Sequence, residues 1–200
     1  GISVDTFDAD GRIVESWQTC DRTLNFTQLG ALPPGLLPAS HVAAEDHRPP
    51  AEVGLFDDRS PATVEANRGV VMRLYDALSD GKMASLEELV SADFVGRMPG
   101  LAGPGKQDLL DWAETAHGAL WLEAQATRTV ASGDWVAAQV TMAGVHRADY
   151  LGHAATGRPV RYETVDTWKV RDGQVVELFG LPDNFSLGLQ IGAIVLPGAP

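Results

Sequence analysis

The sequence predicts an α+β fold: a curved antiparallel β-sheet with about three helices, which precede it in the chain, packed on one face. Two observations carry this. From Val64 to Ala116 apolar residues recur at the three-to-four spacing of amphipathic helices. After Leu120 the period falls to that of strands, and the turn pairs Gly133-Asp134 and Asp172-Gly173 divide the remainder into long segments.

Taken in order, Ile2 to Phe7 and Arg12 to Thr19 read as two strands joined at Ala9-Asp10-Gly11, since Asp-Gly between apolar runs is a hairpin signal. Leu24 to Leu29 reads as a short helix stopped by Gly30 and Pro33-Pro34. Residues 36–60 read as a linker, interrupted by Pro38, Pro49 and Pro50, with a small apolar patch at Val53, Leu55 and Phe56. Ser60-Pro61 opens a helix, with Ser as N-cap and Pro at the first helical position; Val64, Val71, Leu74, Tyr75 and Leu78 form its stripe, and Asp80-Gly81 ends it. Met83 to Leu89 is a second helix, and Lys106 to Ala119 a third, buried through Leu109, Leu110, Trp112, Ala113 and Ala116. Strands follow at Leu120 to Ala131, Trp135 to Val145, Val160 to Val170 and Gln174 to Leu181, and Asn184 to Gln190 closes as a short helix.

The end of this pattern is written twice. Val4-Asp5-Thr6-Phe7, Asp10-Gly11, Asp21 and Gln28-Leu29-Gly30-Ala31 recur as Val165-Asp166-Thr167-Trp168, Asp172-Gly173, Asp183 and Gln190-Ile191-Gly192-Ala193. The expected organisation is a partial C-terminal end of a first module at 1–35, a linker at 36–60, and a complete domain at 61–200. The first segment could equally add to the edge of another sheet.

Composition narrows the function. With 44% hydrophobic and 21% charged residues the 200-residue chain is ordinary for a globular protein. A net charge of -12 argues against a nucleic-acid partner, because it repels a phosphate backbone. The one cysteine, Cys20, cannot form an internal disulfide. No apolar run approaches the roughly 20 residues of a spanning helix, and no signal peptide opens the chain, so no membrane partner and a cytoplasmic location are expected. No histidine or carboxylate pair has metal-ligand spacing, and no glycine-rich phosphate loop joins a strand to a helix, so neither a metal nor a cofactor is expected.

Several ordered motifs then point to one family. Gly133-Asp134-Trp135-Val136-Ala137, Gly144-Val145-His146 with Tyr150-Leu151-Gly152, Thr156-Gly157-Arg158-Pro159-Val160, the run Val165 to Glu177, and Asp183 with Gln190-Ile191-Gly192 resemble successive elements of the SnoaL-like polyketide cyclases. That family shares the cone-shaped fold of nuclear transport factor 2 and ketosteroid isomerase, and the resemblance covers residues 65 to 193. It implies a small-molecule enzyme that removes a proton next to a ketone for aldol-type cyclisation or isomerisation. Arg97-Met98-Pro99 departs from it, since a histidine often stands where Arg97 does.

Asp183 is the candidate acid/base that the resemblance implies. A carboxylate beside Phe179, Leu181 and Phe185 would be partly desolvated and so more basic toward carbon. Its place after Pro182 and before a helix equally suits an N-cap. His146 could orient a carbonyl or be a satisfied structural group, and Arg97 could hold an enolate oxygen or form a surface ion pair. Asp166, sharing its motif with Asp5, reads as a fold residue. Tyr75, Trp112, Met142, Tyr162, Trp168 and Phe179 are candidate pocket residues for an apolar or aromatic ligand, although aromatics equally build cores. The second functional reading is a non-catalytic ligand-binding or assembly domain, and a third is another hydrolase or isomerase on the same cone. A homodimer, or intrachain tandem pairing, is the expected assembly.

Overall fold

The computed structural model describes residues 2–32 and 60–195. The expected linker, save Ser60, and its Val53, Leu55 and Phe56 patch lie outside these residues.

Two strands, β1 (Ile2–Phe7) and β2 (Ile13–Thr19), form a separate antiparallel hairpin, followed by helix α1 (Arg22–Gln28). The connection is wider than a two-residue turn. Asp8 and Arg12 close it by a backbone hydrogen bond of 2.9 Å, and Gly11 supplies a positive φ of 77° inside it.

Helix α2 (Pro61–Ser79) begins where the sequence predicts. The Ser60 hydroxyl accepts from the Thr63 amide at 3.2 Å, and Pro61 occupies the first helical position, where no amide is needed. Its stripe of Val71, Leu74, Tyr75 and Leu78 is buried. Helices α3 (Met83–Leu89) and α4 (Lys106–Leu120) complete the helical layer.

The main sheet has five strands: β3 (Val90–Arg97), β4 (Glu123–Ser132), β5 (Trp135–Val145), β6 (Pro159–Arg171) and β7 (Gln174–Pro182). Their order is β3-β7-β6-β5-β4. The last four form an antiparallel meander, but the sheet is mixed, because β3 pairs with β7 in parallel. The β6–β7 turn is tight: Asp172 and Gly173 both have positive φ, 51° and 78°, as a primed hairpin turn requires. Helix α5 (Asn184–Ile191) closes the described fold and packs on β6.

One boundary departs from the expected strand at Leu120. Helix α4 runs through Leu120, and Trp121 then turns the chain with a φ of 44°. That left-handed cap is rare for a bulky residue. Trp121 is exposed, with the Arg147 guanidinium 4.0 Å above its ring. The turn lets β5 pass close by: a side chain at Gly144 would meet the Leu120 carbonyl oxygen at 2.1 Å. The core lies between the helices and the concave face, through residues such as Val71, Leu120, Val140 and Val175.

Candidate functional site

Alternation along β6 turns Tyr162, Thr164, Asp166 and Trp168 to one face, toward the helices. Opposite them α2 presents Leu74, Tyr75 and Leu78, and α4 presents Leu109, Trp112 and Ala113. Met98, Met142, Leu178 and Pro182 fill in the walls of a hollow whose cavity volume is about 30 Å³. That is room for one or two waters, so a larger guest needs its lining to move. Two methionines, unbranched and adaptable, stand where such movement is cheapest.

The walls are apolar except for one linked set of polar groups. Asp166 is at its centre. The Tyr75 hydroxyl donates to Asp166 Oδ2 at 2.9 Å, and the Thr164 hydroxyl donates to Asp166 Oδ1 at 2.6 Å. Trp168 Nε1 donates in turn to the Tyr75 oxygen at 2.8 Å, with the two rings edge to face. Burial pushes the Asp166 carboxyl up to about 6, against the two hydroxyls that favour its charged form. Burial and the neighbouring Asp166 charge push the Tyr75 phenol up as well. Tyr162 also lines the hollow, its hydroxyl without a hydrogen-bond partner among the described residues. Burial, then the nearby Tyr150 and Asp166, raise its phenol.

Gly180 makes room for this carboxylate. It sits directly across from Asp166 in the β6–β7 register. A side chain there would come within 3.0 Å of Asp166 Oδ1 and 3.1 Å of Met98 Cγ.

The candidates Asp183, His146 and Arg97 do not gather at this hollow. Asp183 caps α5, accepting from the Ser186 amide at 3.0 Å, and forms an ion pair with Arg22. His146 is fully buried just beyond β5, with Nδ1 3.2 Å from the Thr156 hydroxyl and Nε2 unpartnered. Arg97 pairs with Glu177 at 2.6 Å across neighbouring strands. None of the three is among the residues that line the hollow. Among the pocket candidates, Tyr75, Trp112, Met142, Tyr162 and Trp168 line the hollow. Phe179 does not: its neighbour Leu178 faces in, so alternation along β7 turns Phe179 outward, where it is partly exposed.

Asp166 is the residue that the sequence reading passed over, because its motif recurs at Asp5. The available signal was a glycine: opposite Asp166 the chain carries Gly180, whereas the sequence counterpart of Gly180 is Gln18, and Asp5 itself faces Ser16 across its hairpin. Among the described residues no cluster of three or more His, Cys, Asp or Glu could hold a metal ion, and no helix is long and apolar enough to cross a membrane.

Residues 69–191 match the model of the SnoaL-like polyketide cyclases. The chain belongs to that family. Solved structures agree on the fold. AclR from Streptomyces galilaeus, provisionally designated a hydroxylase, superimposes with a TM-score of 0.61 at 20% identity, over 66% of this chain and 99% of its own. IdmH from Streptomyces antibioticus, provisionally designated a polyketide cyclase, is 28% identical, with a TM-score of 0.56 over 63% of this chain and 98% of its own. A SnoaL-like protein from Jannaschia sp. CCS1 gives 0.60 at 23% identity, over 69% of this chain and 99% of its own. No curated protein matches the sequence.

Proposed function

We propose that this SnoaL-like domain is a cofactor-independent acid/base enzyme for a neutral, apolar molecule with an enolisable ketone. The observation that carries it is Asp166: a carboxylate in an apolar hollow, held on both oxygens, with its pKa raised to about 6. A carboxylate with its pKa near the working pH is an effective base toward carbon. Asp166 takes the proton from the carbon beside the ketone, and the electron pair of that C–H bond becomes the enolate. The free Tyr162 hydroxyl donates to the developing enolate oxygen. In a cyclisation the enolate carbon attacks a second carbonyl, and the new alkoxide takes the proton back from Asp166. In an isomerisation the proton returns to a different carbon. A neutral substrate fits, because an anion would meet the Asp166 charge in a low-dielectric site. The role given to Asp183 by the family resemblance passes in this reading to Asp166, because Asp183 is committed to its cap and to Arg22.

Proton–deuterium exchange beside the carbonyl of small aromatic diketones, followed by NMR, tests this directly. The protein should accelerate exchange with an acid limb near pH 6, and Asp166→Asn should reduce the rate by about 10²-fold or more. Asp183→Asn should leave it within about twofold. Equal exchange by the wild-type protein and Asp166→Asn would end the catalytic reading.

One observation favours a second reading, a non-catalytic ligand-binding domain: both Asp166 oxygens already have partners in a nearly filled interior. That reading expects an aromatic ligand to quench Trp168 fluorescence with no exchange in any variant.

A further inference from the structure

We propose that Tyr150 is a specificity-determining residue of the hollow: a second hydrogen-bond donor, which takes an uncharged oxygen on the substrate beyond the ketone held at Tyr162. This role rests on the hollow being the ketone site proposed above.

The first support is an indole-to-phenol relay that occurs twice. Trp168 donates to the Tyr75 oxygen, and the Tyr75 hydroxyl donates onward to Asp166. Trp112 likewise gives its indole N–H to the Tyr150 oxygen. There the relay stops: among the described residues the Tyr150 hydroxyl has no acceptor for its own proton. Tyr150 is buried, and buried hydroxyls are normally paired. A guest with an oxygen acceptor completes the second relay as Asp166 completes the first.

The second support is placement. Tyr150 does not line the hollow but interacts with two residues that do, Trp112 and Tyr162. Met142 stands directly across from Tyr162 in the β5–β6 register. Its unbranched side chain is the part of this wall that yields most readily. A guest that moves Met142 widens the hollow along β5, toward the loop that carries Tyr150.

The third support is how Tyr150 is held. Tyr150 and His153 exchange both backbone hydrogen bonds at 3.0 Å, around a turn in which Leu151 and Gly152 have positive φ of 52° and 77°. Leucine rarely adopts that backbone, and such strain gathers where a side chain must be aimed. The amides of Arg147 and Ala148 donate to the Ala119 carbonyl at 2.8 and 3.2 Å, tying this loop to α4, the helix that carries Trp112. Donor and relay are therefore set before a guest arrives, which lowers the cost of binding it. Burial pushes the Tyr150 phenol up to about 12 against the Trp112 N–H, so it is a neutral donor at pH 7. Its acceptor is uncharged, because an anion would meet the Asp166 charge in the same low-dielectric space.

Two small ligands isolate the second oxygen. 1,3-Diacetylbenzene has it, and 3-isopropylacetophenone fills the same volume without it. In titrations followed by tryptophan fluorescence, the wild-type protein should bind the diketone about tenfold more tightly or better. Tyr150→Phe keeps the buried ring, and an unchanged melting temperature checks its fold. It should abolish the preference while leaving affinity for the monoketone within about twofold. Tyr162→Phe should weaken both ligands, since both offer it the shared ketone. Equal affinity of the wild-type protein for the two ligands, which needs no variant to observe, would overturn the role of Tyr150, and so would a preference that survives Tyr150→Phe. These titrations read binding rather than proton exchange. A preference lost in Tyr150→Phe, with no exchange in any protein, would keep Tyr150 as a ligand-binding residue and end only the catalytic reading.

Discussion

The hairpin and helix β1–β2–α1 and their counterpart β6–β7–α5 share a motif but not an environment. What repeats between them is local. Asp21 accepts from the Leu24 amide at 2.8 Å, and Asp183 accepts from the Ser186 amide at 3.0 Å, three residues on in each case. What does not repeat is everything that depends on the rest of the chain. Trp168 is 3% exposed and its counterpart Phe7 is 58% exposed; Val175 is 0% exposed and Ile13 is 57%. Asp166 sits under α2 with Tyr75 and Thr164, whereas Asp5 accepts only an exposed hydroxyl from Ser3. A carboxylate in the same motif is thus fully buried and doubly hydrogen-bonded at Asp166 and half-buried at Asp5. Three-dimensional context creates the chemistry, not the motif.

The comparison breaks most visibly at the aromatic pair. Trp168→Ala removes a buried ring and the donor to Tyr75, and should cost about 3–5 kcal/mol in denaturant unfolding. Phe7→Ala should stay within about 0.5 kcal/mol. Comparable losses at both positions would mean that the N-terminal unit is buried as deeply as its counterpart.

The aspartate pair offers the next largest effect. The folded-state pKa of Asp166, about 6, lies above the roughly 3.9 of an unfolded chain. The folded protein therefore holds its proton more tightly, and this group favours folding most below about pH 4. Its contribution should fall by about 3 kcal/mol in all as pH rises from about 3 to 7, most of it between pH 4 and 6, then stay flat. Asp166→Asn should remove that slope and raise stability near pH 7, even as it abolishes exchange at carbon. Asp5→Asn should leave the profile unchanged. The pH dependence of the unfolding midpoint distinguishes these outcomes.

Crowding the site from across the sheet is a smaller perturbation. Gly180→Ala brings a methyl against Asp166 Oδ1 and Met98. Met98 is flexible enough to yield in part, so the cost should be about 1–2 kcal/mol, with a further loss of exchange as the carboxylate is displaced. Gln18→Ala, at the counterpart position, should be silent. A Gly180→Ala variant of unchanged stability and exchange would mean that the carboxylate has other room.

The same division explains which features were legible in the sequence. The Ser60-Pro61 helix start and the Asp172-Gly173 turn depend on neighbours along the chain, and each is found where the sequence puts it, while the change to strand after α4 comes at Glu123 rather than Leu120. The parallel pairing of β3 with β7 joins residues some eighty positions apart, and nothing near Val90 announces it. Trp121 in a left-handed cap contradicts the local preference of its residue type and is held by the approach of Gly144. The burial of Asp166 in the hollow was hidden for a related reason. Its recurrence at Asp5 points to what the two motifs share locally, whereas its contacts with Tyr75 and Thr164 depend on α2 and on the main sheet. The inward aromatics Tyr75, Trp112 and Tyr162 were legible by type and spacing, whereas Phe179 required the register of β7 to be known.

The smallest expected difference is between the two helix caps, and it is the one that separates cap from catalyst at Asp183. Asn caps a helix about as well as Asp does, so Asp183→Asn should lose only the partly exposed ion pair with Arg22, at most about 1 kcal/mol. Asp183→Ala removes the cap as well and should cost about 1 kcal/mol more. Asp21→Ala removes the equivalent cap from α1. If α1 is docked on α5 as their aromatic contact implies, that loss should appear as faster amide exchange in α1 with little change in the core of the main domain. Equal slowing of carbon-acid exchange by Asp183→Asn and Asp166→Asn would reverse the assignment and return the acid/base role to the helix start.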